Sequence, residues 1–365
     1  MTRSFILLAP LGLLVGCPTT KFDSDSAAFD SGTITDTDTA TVCTTAVSAI
    51  TPVDTTADVY YRDPFTVDFT GDGATAVFTV VDGSGTNVPV SAAFTDGNVQ
   101  AVVTPDAALA PLTSYTLTVD VCGTSTSSAF TTSDLGTPLT GDPTMLLGRT
   151  YVFRLSDANI TTPAFLNLIA GTYLTVPILL GVESADSSLI HMIGGLGDDS
   201  GAVMTQLKDT SGYLPTWDFP AADFSYQPYF QAASPMVTIM YGSVAIPISD
   251  FTLAGTFAAD GSSIQHGTAT GTGDSRNMGV LVGKSGDPAA ICDLASSMGV
   301  DCTACPDGEP YCLYIVAEDI TATALDGVTM TTYTAEDCTD GVDNDGDTKV
   351  DCHDADCSAD AACAT

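Results

Sequence analysis

Hydrophobic and polar positions alternate in short segments along most of the chain. In Phe65–Phe69 every second residue is apolar, and Tyr115–Val121 repeats the same alternation. A period of two places the apolar side chains on one face of a β-strand. Turn residues separate these segments, and Asp96-Gly97 between two of them predicts a β-hairpin. The pattern predicts an all-β protein.

The alternating segments fall into two regions. In residues 42–134 they are short and follow one another closely, which is typical of a β-sandwich. Residues 139–335 contain further alternating segments and predict a larger β-sandwich or an up-and-down β-barrel. One short helix is expected at Pro288–Met298. The segments in the second region are Tyr151–Leu155, Leu189–Ile193, Val237–Tyr241, Phe251–Phe257 and Ile264–Thr270.

The region 42–134 resembles the bacterial Ig-like domains that occur in repeat on cell-surface proteins. Three segments carry the resemblance: Ile50–Asp54 at its start, Leu109–Leu117 and the closing Ala129–Thr132. The resemblance implies a β-sandwich that acts as a spacer or an adhesion module, with no catalytic role.

The first sixteen residues have the pattern of a signal peptide. The apolar run Phe5–Val15 is much shorter than the roughly 20 residues that span a bilayer. Leu14-Val15-Gly16-Cys17 resembles the lipobox of bacterial lipoproteins, which implies cleavage before Cys17 and a diacylglycerol on its sulfur. The alternative is an ordinary secretory signal followed by a chance cysteine. Residues 17–41, rich in Thr, Asp and Ser, predict a disordered tether.

Charge restricts the partners of the protein. The formal net charge is -36, with only 9 Lys and Arg residues. Such a chain repels phosphate backbones, so nucleic-acid binding is excluded and cations are the expected partners. Acidity also keeps an exported protein soluble, and a salt-rich habitat would produce the same bias.

The cysteines indicate an oxidising compartment. There are 11, and setting Cys17 aside leaves an even number that groups along the chain. Each group predicts disulfides within itself, although the second, with one Cys-x-x-Cys, could instead hold zinc. The groups are Cys43 with Cys122, then Cys292, Cys302, Cys305 and Cys312, and finally Cys338, Cys352, Cys357 and Cys363.

The C-terminal segment 336–365 carries acidic residues at a spacing that suits calcium. Alternate side chains of a loop wrapped around an ion turn inward and present oxygen ligands. The loop departs from an EF-hand because Thr348 stands in the position of the turn glycine. The predicted Ca²⁺ ligands are Asp343, Asp345, Asp347, the Lys349 carbonyl, Asp351 and Asp354.

The same segment resembles the Asp- and Cys-rich repeats at the ends of bacterial surface lipoproteins and the thrombospondin type 3 calcium repeats. The resemblance covers residues 336–357 and implies calcium binding. The alternative is a disulfide-stapled acidic tail that binds nothing.

No catalytic motif is present, so no catalytic residue is predicted. His191 and His266 lie in strand patterns and are expected to be structural, and the glycine-rich stretch Gly195–Gly201 is expected to be a loop. The aromatic residues of 213–230, including Trp217, either pack in the core or line a ligand site.

The sequence therefore predicts a lipid-anchored protein of the cell envelope, with the outer membrane favoured because Pro18 follows Cys17. We expect a non-enzymatic structural, adhesion or ligand-binding module with a calcium-stabilised tail. Its expected partners are the membrane, through the lipid, and other envelope proteins or glycans. The alternative is an envelope hydrolase or a solute-binding protein with its site in residues 139–335.

Overall fold

The computed structural model describes residues 43–208, 212–241, 244–334, 336–354, 356–360 and 362–363. The predicted signal peptide, the lipidation site Cys17 and the tether 17–41 lie outside the described residues. The described chain is all-β, as the alternation predicts. No described helix has both the length and the apolar character needed to cross a bilayer.

Nine strands form two sheets in the first part of the chain, with strand orders β1-β3-β7-β6 and β2-β9-β8-β4-β5. Their inward side chains meet in one core, where Phe65, Val67 and Leu117 are fully buried. This is the β-sandwich that the sequence predicts. The strands are β1 (Val47–Thr51), β2 (Thr56–Val59), β3 (Phe65–Phe69), β4 (Val77–Asp82), β5 (Asn87–Val88), β6 (Val90–Phe94), β7 (Gln100–Pro105), β8 (Ser114–Val121) and β9 (Thr124–Thr132).

Ten further strands make up the second part, and eight of them close into a barrel. The order around the ring is β10-β12-β13-β15-β16-β17-β18-β19, and β19 pairs back with β10. The strands are β10 (Thr150–Phe153), β11 (Asn159–Thr162), β12 (Ile178–Ala185), β13 (Leu189–Asp198), β14 (Thr205–Gln206), β15 (Trp217–Asp223), β16 (Tyr229–Tyr241), β17 (Val244–Phe257), β18 (Ser263–Asp274) and β19 (Cys312–Leu325). Of the two architectures that the sequence leaves open, the protein has the barrel.

The barrel interior is filled by large apolar side chains, and glycines make room for them. Phe219, Phe230 and Phe257 are fully buried. A Cβ at Gly194 would lie only 2.7 Å from the Trp217 ring. The expectation of a loop at Gly195–Gly201 is wrong for its first half, because β13 continues to Asp198. Here glycine allows neighbouring side chains to approach the strand closely.

Helices cover parts of the barrel. The α-helix expected at Pro288–Met298 is present as α2 (Ala290–Ser297), whereas α1 (Leu166–Tyr173) has no counterpart in the sequence prediction. The 3₁₀ helices are Asp96–Asn98, Pro143–Leu146, Leu155–Asp157, Arg276–Val282, Asp351–His353 and Asp356–Ala359.

All four cysteines of the middle group are oxidised. Cys292 of α2 pairs with Cys302, and Cys305 pairs with Cys312 at the start of β19. Each bond closes a short loop, so together they fasten α2 and its following loop to the barrel. These four cysteines therefore cannot supply thiolate ligands to zinc, which was the alternative suggested by the Cys-x-x-Cys motif. Cys43 and Cys122 are disulfide-bonded as well.

The sandwich and the barrel meet through aromatic side chains. The Tyr60 hydroxyl lies 2.6 Å from the Thr256 hydroxyl on β17, and its ring stacks on His266 of β18 at 4.4 Å. Burial raises the pKa of Tyr60 well above its usual range, so the phenol stays protonated. Beside it, the Arg62 guanidinium lies 3.7 Å from the centre of the Tyr229 ring, an arrangement that favours a cation–π interaction.

We predict that Tyr60→Phe lowers the free energy of unfolding by about 1–2 kcal/mol, because the fully buried Thr256 hydroxyl loses its closest partner. Urea denaturation measures the change. Tyr314→Phe is the control, since Tyr314 is an exposed residue of β19 and its hydroxyl should contribute little. Equal midpoints for Tyr60→Phe and the unaltered protein would contradict the prediction.

Candidate metal centre

Two disulfides hold the acidic C-terminal segment, and both lie within the third cysteine group, as its spacing predicts. Cys338 pairs with Cys357, and Cys352 pairs with Cys363. The described part of residues 336–363 contains no β-strand. Cross-links therefore replace a hydrophobic core in this segment, which is too small and too polar to build one.

The segment that leads into this tail is bound to the barrel by hydrogen bonds. The Gln206 side chain accepts from the Thr331 N–H at 2.7 Å and donates to the Thr331 carbonyl at 2.8 Å. The Thr216 N–H donates to the Tyr333 carbonyl at 2.9 Å, and the Tyr333 ring stacks on the Tyr213 ring at 4.3 Å. The start of the tail is thus fixed against the loop that connects β14 and β15.

Asp343 organises the loop that follows. Its carboxylate accepts hydrogen bonds from the N–H groups of Gly346 at 2.7 Å, Asp347 at 3.1 Å and Thr348 at 2.8 Å. Thr348 has a φ of 77°, the left-handed conformation that glycine usually supplies at this turn. For a β-branched residue this conformation costs about 1–2 kcal/mol. The turn is therefore kept despite strain.

Acidic side chains converge on Asp345. Carboxylate oxygens of Glu336, Asp343 and Asp345 lie within 4.8 Å of one another, and the same holds for Asp345, Asp354 and Asp356. Asp345 is only 3 % exposed and Asp354 only 4 %. Charged carboxylates are rarely buried to this extent unless they are paired or bind a metal.

The electrostatics of the cluster are unfavourable without a cation. Burial raises the pKa of Asp345, and the charges of Asp354, Asp347 and Glu336 raise it further. Lys349 is the only lysine or arginine in residues 336–365. Its ammonium lies 2.8 Å from Asp347, which raises the pKa of the lysine.

A buried oxygen of the cluster, Asp354 Oδ2, has no hydrogen-bond partner among the described residues. Asp354 Oδ1 accepts from the Asp356 N–H at 2.7 Å, whereas Asp354 Oδ2 is buried and accepts no hydrogen bond from the residues that the structure describes. An unsatisfied buried oxygen of a charged group is expensive. A metal ion would satisfy it, and Ca²⁺ takes six to eight oxygen ligands in a flexible geometry. The residues present therefore fit a hard cation.

The structure brings together only some of the predicted ligands. Asp343, Asp345 and Asp354 belong to the two carboxylate groups. Asp347 instead pairs with Lys349, and the Asp351 carboxylate accepts from the Gly341 N–H at 3.0 Å.

Two members of the cluster, Glu336 and Asp356, were not among the predicted ligands. The sequence signal for them is their position beside cysteines, because Glu336 lies two residues before Cys338 and Asp356 directly before Cys357. The disulfide between these cysteines brings the two ends of the segment together.

The other candidate residues lie elsewhere. His191 is partly exposed on β13, with Nε2 2.6 Å from Asp218 and Nδ1 3.3 Å from Glu183. His266 stacks on Tyr60 at the contact between sandwich and barrel. Trp217 is buried in the barrel wall.

Comparisons with known proteins identify no family. No family model matches the chain, and no curated protein matches it. Among solved structures, the N-terminal part of the bacterial S-layer protein SbsC is 12% identical over 44% of this chain and 42% of that one, with a TM-score of 0.22. Domains 1-6 of SbsC are 10% identical, with a TM-score of 0.21, and cover 80% of this chain. The alignment spans 55% of that SbsC chain. Scores this low carry no inference about fold or function.

We predict that Gly212→Ala displaces the buried Asp345, since a Cβ at residue 212 would lie 2.4 Å from its carboxyl carbon. The free energy of unfolding should fall by about 1–3 kcal/mol. Limited proteolysis of the tail should be faster, and the urea midpoint of the protein should be lower. Gly171→Ala is the control because a Cβ there meets open space. A tail equally resistant to protease in both variants would rule out this packing constraint.

Proposed function

We propose that this is an exported, lipid-anchored protein of the cell envelope whose acidic C-terminal segment binds calcium. It acts without catalysis, as a structural, adhesion or ligand-binding module. The observation that carries the calcium proposal is Asp354 Oδ2, a buried oxygen beside the buried Asp345 that has no hydrogen-bond partner in the described part of the chain.

The balance of charges supports a bound cation. Five carboxylates make up the two groups around Asp345, whereas Lys349, the only lysine or arginine of residues 336–365, is engaged by Asp347. Carboxylates at such distances repel one another, and the repulsion strengthens as water is excluded. A divalent cation bound between these carboxylates would offset the repulsion, because each carboxylate is attracted to the cation.

The ligand chemistry favours calcium among common divalent ions. All candidate ligands are oxygens, whereas zinc prefers thiolate and imidazole. The four sulfurs of the segment are consumed in disulfides. Magnesium demands a near-octahedral shell and keeps several waters, so it gains less from a cluster of buried carboxylates.

Calcium would fasten the tail to the barrel. The Asp345 backbone carbonyl accepts a hydrogen bond from the Tyr213 N–H at 2.8 Å, and its carboxylate packs on Gly212. An ion held by Asp345 therefore stabilises the segment that contacts the barrel loop. Its proposed role is structural.

Export is supported by the state of the cysteines. All ten cysteines after Cys17 are disulfide-bonded, a state that persists outside the reducing cytoplasm. Cys17 is the one cysteine that these bonds do not require, in agreement with its proposed use as the lipid attachment site.

We predict that calcium raises the thermal midpoint of the protein and protects residues 336–363 from protease, and that a chelator reverses both effects. Asp354→Asn should weaken calcium binding in calorimetry by roughly tenfold or more, because it removes ligand charge. Asp326→Asn, at an exposed position outside the tail, is the matched control. If the Asp354→Asn and Asp326→Asn variants bound calcium equally, the site would lie elsewhere.

A separate prediction concerns the anchor. Intact mass of the native protein should show loss of residues 1–16 and addition of acyl chains at Cys17, and detergent-phase partition should retain it. Cys17→Ser should release the protein into the aqueous phase without changing its calcium affinity. Unaltered partition of this variant would contradict lipid anchoring at Cys17.

A further inference from the structure

The barrel encloses an apolar cavity of about 70 Å³. Its lining includes Phe153, Trp217, Phe219 and Ile239, and it is almost entirely hydrocarbon. A cavity with so few polar partners does not hold ordered water. It is about half the size of an engineered cavity of 150 Å³ that binds benzene, so it accommodates a small apolar group such as the end of a chain.

A second apolar hollow lies on the other side of α1. This cleft, about 750 Å³ in volume and open to solvent, runs between α1 and the region of α2. Its lining includes Leu168, which is 81 % exposed, and Met298, which is 48 % exposed. Ile169 of α1 lines both the cleft and the interior cavity, so the two adjoin at this residue.

A lysine lies in a smaller hollow that adjoins the cleft. Val282 and Leu294 line both the cleft and a smaller hollow that contains Lys284 and Asp293. Lys284 is exposed and forms no ion pair with any described residue. In a chain with 9 basic residues and a net charge of -36, a free lysine beside an apolar cleft is an unusual site of attraction for an anion.

We propose that this cleft binds a long-chain fatty acid. The carboxylate pairs with Lys284, the chain lies along the cleft between α1 and α2, and the methyl end passes Ile169 into the barrel cavity. The occupant is inferred to be an amphipathic carboxylate, since Lys284 has no ion-pair partner among the described residues and the interior cavity is lined by hydrocarbon. This inference does not depend on calcium binding or on lipidation.

Binding is tested on the full chain carrying Cys17→Ser, so that no attached acyl chain competes. Fatty acids from octanoate to octadecanoate are titrated by calorimetry. We expect saturable binding that strengthens by up to about fourfold for each added methylene until the chain fills the path. Absence of saturable binding across this series would overturn the proposal.

The position of the acyl chain in the cleft is tested with matched variants. Leu168→Glu should weaken dodecanoate binding at least tenfold, because it places a charge in the apolar cleft. Leu112→Glu, at a sandwich residue that is 68 % exposed, should leave binding unchanged. Both positions are on the surface, so circular dichroism should show both variants folded. Equal affinity of these two variants would overturn the assignment to this cleft.

The head group is tested by charge changes. Lys284→Gln should weaken dodecanoate binding about two- to fivefold and leave dodecanol binding unaltered. Asp293→Asn should strengthen dodecanoate binding, because it removes a repelling charge from the same hollow. Loss of dodecanol affinity in Lys284→Gln to the same degree would contradict a carboxylate at Lys284.

The fluorescence of Trp217 reports on the methyl end of the fatty acid, because Trp217 is the only tryptophan and lines the barrel cavity. Bromine quenches indole fluorescence at short range. Dodecanoate brominated at its terminal carbon should quench Trp217 strongly, whereas bromine next to the carboxylate should not. Equal quenching by the two isomers would refute entry of the methyl end into the barrel.

Discussion

Closure of the barrel depends on β10, a strand of four residues that pairs on both sides. Thr150 lies opposite Gly181 of β12 and also opposite Leu325 of β19. An open sheet would leave the strands at its two edges with unpaired N–H and C=O groups. Closure of the ring pairs these groups with each other. It also fixes where β19 ends, because Leu325 lies opposite Thr150 of β10, one strand away from β12. The chain therefore emerges next to β12 and β13, where Met330 packs on Gly181 and Gly195.

That exit point explains why the acidic tail lies on the barrel. Several carboxylates of the protein are satisfied locally, as at Asp72 and Asp186, where hydrogen bonds from the following backbone lower the pKa. Asp345 shows the opposite direction, because burial raises its pKa and neighbouring carboxylates add to the effect. The difference arises from tertiary contact, because the tail packs against Gly212 and Tyr213 at Asp345 and so buries this carboxylate.

Local patterns predicted local structure well and long-range structure poorly. Alternation placed the strands and the hairpin at Asp96-Gly97, and cysteine grouping predicted that the two four-cysteine groups each cross-link within themselves but not which partners pair. The choice between sandwich and barrel stayed open because it rests on the pairing of β10 with β19, which are far apart in sequence. The helix α1 was not predicted because its start has no side-chain N-cap and its interior contains Gly171, a weak helix former. Glu336 and Asp356 were missed because a disulfide, not loop spacing, brings them to the cluster.

The barrel connects three other parts of the molecule by different means. The sandwich contacts the barrel through Tyr60, and the tail contacts it through Asp345. The helix α2 is tied to it by the disulfides Cys292–Cys302 and Cys305–Cys312. By contrast, α1 has no covalent link of its own and is held near its start by Asn167, whose side chain bonds both backbone groups of Ile160. The two walls of the apolar cleft therefore differ in stiffness. Because α2 is cross-linked and α1 is not, the proposed entry of the acyl chain past Ile169 is more easily accommodated by movement of α1 than of α2.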